Sequence, residues 1–218
     1  MSEREDEMAI IADLPGVVVR RISVPPYDNN VYLLTADGGQ VLIDAAAEPD
    51  AIDALLDEGT GGLDLIVTTH SHSDHIGALA ATLARHPAPT AAGRADIPVI
   101  ERATGVTIDR ALDDGDVIGV DGLSLTVIHL LGHTPGSITL ALVLPGVPVH
   151  LFTGDSIFPG GLGNTDHDPA RFDSLYADAV ARVFDIYPDD TVVHPGHGHP
   201  TTLGAERPAL PDWRARGW

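Results

Sequence analysis

Apolar positions along the chain fall into short runs broken by glycine, proline and aspartate. Runs of four to eight apolar or alternating residues predict strands over 17–24, 30–34, 40–44 and 64–68, with Asp37-Gly38-Gly39 turning the chain between the second and third. Further on, 117–120 and 123–130 read as a hairpin around Asp121-Gly122. Residues 138–144 and 147–153 read as another around Pro145-Gly146, and 191–194 as a last strand. Helical spacing predicts helices over 49–56, 77–85 and 172–184, the last with Leu175, Ala179, Val183 and Phe184 on its apolar side. Pro87, Pro89, Gly93 and Pro98 interrupt every pattern, so 87–112 is expected to be irregular or mobile.

The order is strands, helix, strand, helix, and then the same again. It implies two similar halves whose sheets pack face to face with helices outside, a four-layer arrangement. No linker separates them, so residues 1–218 are read as one domain. Trp213 and Trp218 are expected to cap the core.

Composition changes this picture little. The 218 residues are 44% hydrophobic and 20% charged, as in an ordinary globular protein. No apolar run is long enough to cross a bilayer, and the start, Met1-Ser2-Glu3-Arg4-Glu5-Asp6-Glu7, lacks the basic and apolar regions of a signal peptide. Charge matters more. Twelve basic residues against 32 acidic ones give a net charge of −20, which repels nucleic acid and anionic membranes. The absence of cysteine excludes disulfides, thiolate ligands and a cysteine nucleophile, and fits a cytoplasmic protein.

The chemistry is concentrated at strand ends. His70-Ser71-His72-Ser73-Asp74-His75 follows the strand 64–68 and puts four metal-ligand side chains within six residues. His70 and His72 are two apart, so in extended backbone they point the same way, while Asp74 and His75 can aim at a second point. Three more glycine-containing turns each follow a strand and carry one candidate ligand: His133 in Gly132-His133-Thr134-Pro135-Gly136-Ser137, Asp155 in Gly154-Asp155, and His197 in Gly196-His197-Gly198. One histidine in a turn is usually structural; four such turns together point to a metal centre. His86, His129, His150, His167, His194 and His199 lack that context and are read as structural or solvated.

In this order the four segments resemble the metallo-β-lactamase superfamily. With Asp28-Asn29-Asn30-Val31-Tyr32 and Phe158-Pro159-Gly160-Gly161, the chain is most similar to the glyoxalase II-like hydrolases of that superfamily. The resemblance implies an α+β fold, the αββα sandwich. It also implies that His70, His72 and His133 hold one ion, that Asp74, His75 and His197 hold another, and that Asp155 bridges them. Seven ligands exceed what one tetrahedral ion uses, which argues for two. Two Zn2+ are the implied cofactors, with Fe or Mn as alternatives at either site. Two such ions share a hydroxide and polarise a carbonyl, and Asp74 is implied to orient the bridging water as well as to bind.

The implied reaction is hydrolysis of a small-molecule thioester or another ester. Asp155 goes, by resemblance, with thioesterases, lactonases and phosphodiesterases, whereas β-lactamases of the fold lack an aspartate there. Only 21 residues follow His197, too few for the C-terminal helical domain with which family members bind glutathione, so the thiol carrier is left open. A lactonase is one alternative. Another is a mononuclear iron persulfide dioxygenase, with His70 or His72, His133 and Asp155 as a facial triad. No side chain in the expected mouth (27–30, 158–168 and part of 87–112) names the substrate, and oligomeric state is not readable.

Overall fold

The computed structural model describes residues 8–217; Met1 to Glu7 and Trp218, and the readings that fall on them, lie outside that range. The first half runs β1 (Ala9–Leu14), β2 (Val17–Val24), β3 (Asn29–Ala36), β4 (Gly39–Ile43), α1 (Pro49–Asp57), β5 (Leu65–Thr68), α2 (Ser73–Ile76), α3 (Leu79–Arg85), β6 (Thr90–Gly93), α4 (Ile97–Thr104) and β7 (Arg110–Leu112). The second half runs β8 (Val117–Val120), β9 (Leu123–His129), β10 (Ile138–Leu142), β11 (His150–Gly154), β12 (Ile157–Phe158), β13 (Gly161–Leu162), α5 (Pro169–Ala179), β14 (Val192–Pro195), β15 (Thr201–Thr202), α6 (Leu203–Glu206) and α7 (Leu210–Arg216).

Strands β1 to β7 form one sheet in chain order, antiparallel as far as β4 and parallel from there to β7. The second sheet has the order β15-β14-β11-β10-β9-β8. Both β9 and β11 are antiparallel to β10, and β14 is parallel to β11, so β9, β11 and β14 run the same way and end at one edge. Every residue of β4, β5, β6, β10 and β11 is buried, as strands covered on both faces must be.

Three apolar clusters account for the layers. Val19, Leu34, Val41, Val67, Leu125, Leu140 and Phe152 interleave between the two sheets. Leu33, Leu42 and Ile66 point the opposite way, onto Leu55 of α1, Leu79 of α3 and Ile100 of α4. On the far side of the second sheet, Leu151 and Val193 pack with Leu175 of α5 and Trp213 of α7. This is the αββα sandwich, with Trp213 buried in its outer layer.

Residues 87–112 correct the sequence reading. They hold β6, α4 and β7 rather than an irregular stretch. Pro98 lies in the first turn of α4, where its missing N–H leaves no helical bond unmade. Gly93 ends β6 where a Cβ would come within 1.9 Å of the Gly136 carbonyl oxygen. These residues mark element boundaries and do not break elements. Elsewhere the 77–85 helix starts later, at Leu79, behind the separate turn α2, and the 172–184 helix starts earlier, at Pro169. There the Asp168 carboxylate accepts from Ala170 N at 2.8 Å and Arg171 N at 3.2 Å, a side-chain cap. The strand β1 is additional.

The two sheets are also stitched by hydrogen bonds at one end. Asn30 N donates to Gly196 O at 2.7 Å, Tyr32 Oη to Pro195 O at 2.6 Å, and Ile138 N to Thr69 O at 3.0 Å. Behind this seam lies a buried imidazole pair, His150 Nδ1 and His194 Nε2 at 2.9 Å, with His194 stacked on Phe152. Burial first, then repulsion from His150 and Arg21, pushes the His194 pKa down to about 3. A histidine whose folded pKa is depressed is protonated preferentially in the unfolded chain, so its contribution disappears as pH falls from about 6.5 toward 3. The shift corresponds to on the order of 5 kcal/mol. Urea unfolding is therefore expected to show stability falling through this window, with a shallower fall in His194→Asn; equal slopes would show that His194 is not the group responsible.

Candidate metal centre

The seven residues singled out in the sequence meet at the edge where the sheets are stitched. His70 follows β5, and His72, Asp74 and His75 lie on the entry to α2 and within it. His133 follows β9, Asp155 follows β11 and His197 follows β14. The ligand atoms of His70, His72 and His133 lie within 4.8 Å of one another, and so do those of Asp74, His75 and His197. Asp155 stands between the trios. Its Oδ2 is 3.6 Å from His133 Nε2 and 3.3 Å from His197 Nε2, and its Oδ1 is 3.3 Å from His75 Nε2.

The surroundings decide which ring nitrogen faces inward. His133 Nδ1 donates to the Asn164 carbonyl at 2.8 Å and His197 Nδ1 to the Tyr27 carbonyl at 2.8 Å. His75 Nδ1 donates to Asp44 Oδ2 at 2.8 Å. Thr69 Oγ1 gives its proton to Asp44 Oδ2 at 2.7 Å and so accepts from His70 Nδ1 at 3.0 Å. With Nδ1 protonated in all four rings, each Nε2 presents a lone pair to the centre. The buried Nε2 atoms of His70 and His133 have no protein partner, and those of His75 and His197 face each other at 3.2 Å. Opposed lone pairs beside two carboxylates call for a shared cation, and an N/O donor set of this kind suits zinc, iron or manganese.

The electrostatics agree. Burial opposes charge on His75, but Asp44 and Asp155 outweigh it and push its pKa up to about 10. Burial, followed by the neighbouring His75, holds His70 well below the usual histidine range, and burial lowers His133. Burial acts to raise Asp155, yet the His197 and His75 imidazoles against its two oxygens hold it well below the usual carboxylate range. Burial likewise acts to raise Asp74, and the Asn29 amide, donating to its Oδ2 at 3.0 Å, brings it down on balance. The centre thus sets ionised carboxylates among two imidazoles that resist protonation, His70 and His133, and two that draw positive charge, His75 and His197.

Two glycines are required by this crowding. A Cβ on Gly196 would fall 2.1 Å from Asp155 Oδ1 and 2.7 Å from His75 Cε1; one on Gly163 would fall 1.7 Å from the Asp155 carbonyl oxygen. Of the other histidines, His86 pairs with Asp53 at 2.9 Å, His129 Nε2 meets the Pro135 carbonyl at 3.1 Å, and His199 is exposed.

Sequence reasoning missed Asp44, and it singled out Asn29 only within the 28–32 motif and the 27–30 mouth, without its bond to Asp74. Asp44 accepts from Thr69 N at 2.7 Å as well as from Thr69 Oγ1 and His75, so its oxygens are committed to orienting His70 and His75. The available signal was a lone carboxylate ending an apolar strand, in a left-handed conformation that aspartate tolerates (φ 59°).

Comparison with known proteins matches residues 24–199 to the family model for the metallo-beta-lactamase superfamily. The chain belongs to the metallo-β-lactamase superfamily. Among curated members it is 29% identical over 209 residues to the hydroxyacylglutathione hydrolase GloC of Haemophilus influenzae, covering 87% of this chain and 95% of that protein. It is 34% identical over 178 residues to the hydroxyacylglutathione hydrolase of Aeromonas salmonicida, but there it spans only 64% of the relative's length. Among solved members, TTHA1623 in a di-iron-bound form is 34% identical with a TM-score of 0.68, covering 86% of this chain and 96% of that one. ETHE1 from Myxococcus xanthus is 26% identical with a TM-score of 0.74, covering 90% and 84%.

Since outer carboxylates that fix a ligating imidazole typically carry 10–100-fold of metal affinity, Asp44→Asn is expected to weaken zinc binding by about that factor in chelator competition. Wild-type affinity would show that His75 needs no such support.

Proposed function

We propose that this protein is a binuclear metallohydrolase that cleaves small hydroxyacyl thioesters. The observation that carries the proposal is the pair of ligand trios joined by Asp155, with His70, His75, His133 and His197 presenting Nε2 inward. The names of the hydroxyacylglutathione hydrolases support the substrate class, and the di-iron form of TTHA1623 supports two ions and keeps iron beside zinc as a candidate. Two bound cations would supply Lewis-acid polarisation of the thioester carbonyl and would lower the pKa of water.

The chain's own residues divide the remaining tasks. His70, His72 and His133 would hold one ion, and Asp74, His75 and His197 the other, with Asp155 between. Asp74 is one-quarter exposed, the most open carboxylate of the centre. The Asn29 amide engages only its Oδ2. Its ionised carboxylate has acceptor capacity left to hold the proton of an attacking water and fix its direction. Exposed Tyr27 and half-buried Phe158, whose ring centroid lies 6.3 Å from that of His197, offer aromatic surface at the mouth for the acyl or thiol portion.

Lactones present the same electrophilic carbonyl, and a lactonase reading stands beside the thioesterase one. A mononuclear iron persulfide dioxygenase has a separate observation in its favour: His70 and His133 Nε2 together with Asp155 make two imidazoles and one carboxylate on one ion. That reading leaves the second trio, equally well aimed, without a task.

Metal content and a substrate panel separate these readings. The expected result is about two ions per chain, loss of activity on chelation, recovery with zinc or iron, and turnover of hydroxyacyl thioesters of several thiols above lactones. One iron per chain with oxygen uptake on a persulfide would overturn the hydrolase. Asp74→Asn, assayed with metal added until its content matches that of the wild type because Asp74 is also a candidate ligand, is expected to lower kcat by about 10²–10⁴, the range of a positioned proton acceptor. Full turnover would remove Asp74 from the proton-handling role.

A further inference from the structure

Asp96 lies outside every motif and ligates nothing, yet it is almost wholly buried. It precedes α4, and its backbone N–H is bonded to Gly93 O at 3.0 Å, so its position is fixed by the end of β6. Its carboxyl oxygens accept three hydrogen bonds from two loops. Ser71 N donates to Oδ2 at 2.9 Å, and Ser71 sits between His70 and His72. Thr134 Oγ1 donates to the same oxygen at 2.6 Å, and Gly136 N donates to Oδ1 at 2.8 Å; both follow His133.

The two loops come from different sheets. One oxygen of Asp96 therefore joins the backbone that carries His70 and His72 to the side chain next to His133. The contact is made at close quarters: a Cβ on Gly136 would lie 2.5 Å from Asp96 N. Ser137 completes the clamp, its Oγ accepting from Thr134 N at 2.9 Å and standing 2.6 Å from Thr134 Oγ1, whose own proton is committed to Asp96. The run His133-Thr134-Pro135-Gly136-Ser137 is thereby explained in physical terms. Thr134 donates, Gly136 admits the carboxyl, and Ser137 orders Thr134.

We propose that Asp96 is a positioning residue that sets the spacing of the His70–His72–His133 trio, and so the affinity of that subsite for its ion. The Asp74–His75–His197 trio has no contact with it among the hydrogen bonds of the described residues; Asn29, Asp44 and Tyr27 serve that trio instead. Two buried carboxyls thus divide the centre, Asp44 behind His75 and His70, Asp96 across the gap between the sheets. The inference rests on the two-ion reading above. That reading is tested on the wild-type chain, whereas this one is tested only by the difference between wild type and variants.

The test is a chelator-competition titration of the full chain with zinc, repeated with Co(II) so that the absorption of each site is followed separately. Asp96→Asn places an amide N–H₂ or one lost acceptor against Ser71 N and Thr134 Oγ1. Thr134→Val removes one donor and leaves Asp96 in place. Expected are a 10–100-fold weakening of one of the two ions in Asp96→Asn, a smaller weakening of the same ion in Thr134→Val, and a double variant weaker by less than the product of the two, because the pair shares one hydrogen bond. The thermal midpoint of the metal-free protein is read in parallel. Variants that bind both ions like the wild type overturn the proposal. So does an Asp96→Asn that weakens both ions equally, or lowers the metal-free midpoint with no change in affinity, because each is the signature of a general structural role. Should wild type bind one ion only, weakening of that ion in both variants supports the positioning role and unchanged affinity overturns it.

Discussion

The centre is organised by how its imidazole rings are tethered from behind. His70, His75, His133 and His197 each spend Nδ1 on a fixed oxygen, supplied by Thr69, Asp44, Asn164 and Tyr27 respectively. Once those four bonds exist, the Nε2 lone pairs have nowhere to point but at one another and at Asp155. Such an arrangement is costly unless positive charge sits among them. Other features of the site answer that constraint. Glycines at 163 and 196 let backbone press against the ligands, and the strand ends converge from both sheets to provide the tethers.

The tethers explain why fold and site are hard to separate here. Two come from carbonyl oxygens in loops, at Tyr27 and Asn164, and a carbonyl aims correctly only if its loop is held. The Tyr27 loop is held because the backbone of Asn29 and Asn30 pairs with that of His197 and Gly196. The 158–164 loop is held because Gly160 N donates to Glu206 Oε2 at 2.8 Å, from the helical segment that covers the second sheet. The outer layer therefore reaches the ring of His133 through the stretch of chain between Gly160 and Asn164.

Much of this was legible in the sequence, for an identifiable reason. Metal ligands must be specific side chains at strand ends, so His70, His72, Asp74, His75, His133, Asp155 and His197 stood out by type and by the turns around them. The strands buried on both faces stood out as apolar runs. Orienting groups are another matter. Asp44 and Asp96 act through hydrogen bonds to residues distant in the chain, and an aspartate at the end of a strand or the start of a helix has many ordinary uses. Backbone carbonyls carry no residue signature at all. The misreading of 87–112 has the same origin: Pro98 and Gly93 take their meaning from where elements end, which apolar periodicity resolves poorly.

The seven candidate ligands are split between the halves of the chain, four before β7 and three after β8, with the turn of residues 113–116 between. An ion held by both groups is a cross-link in the thermodynamic sense. It binds the closed sandwich and not the separated sheets, so it adds RT ln(1 + [M]/Kd) to their association. Metal supply would then set how firmly the two halves adhere. A chain cut within 113–116 would hold together more firmly when loaded than when stripped, with metal acting in place of the severed peptide bond.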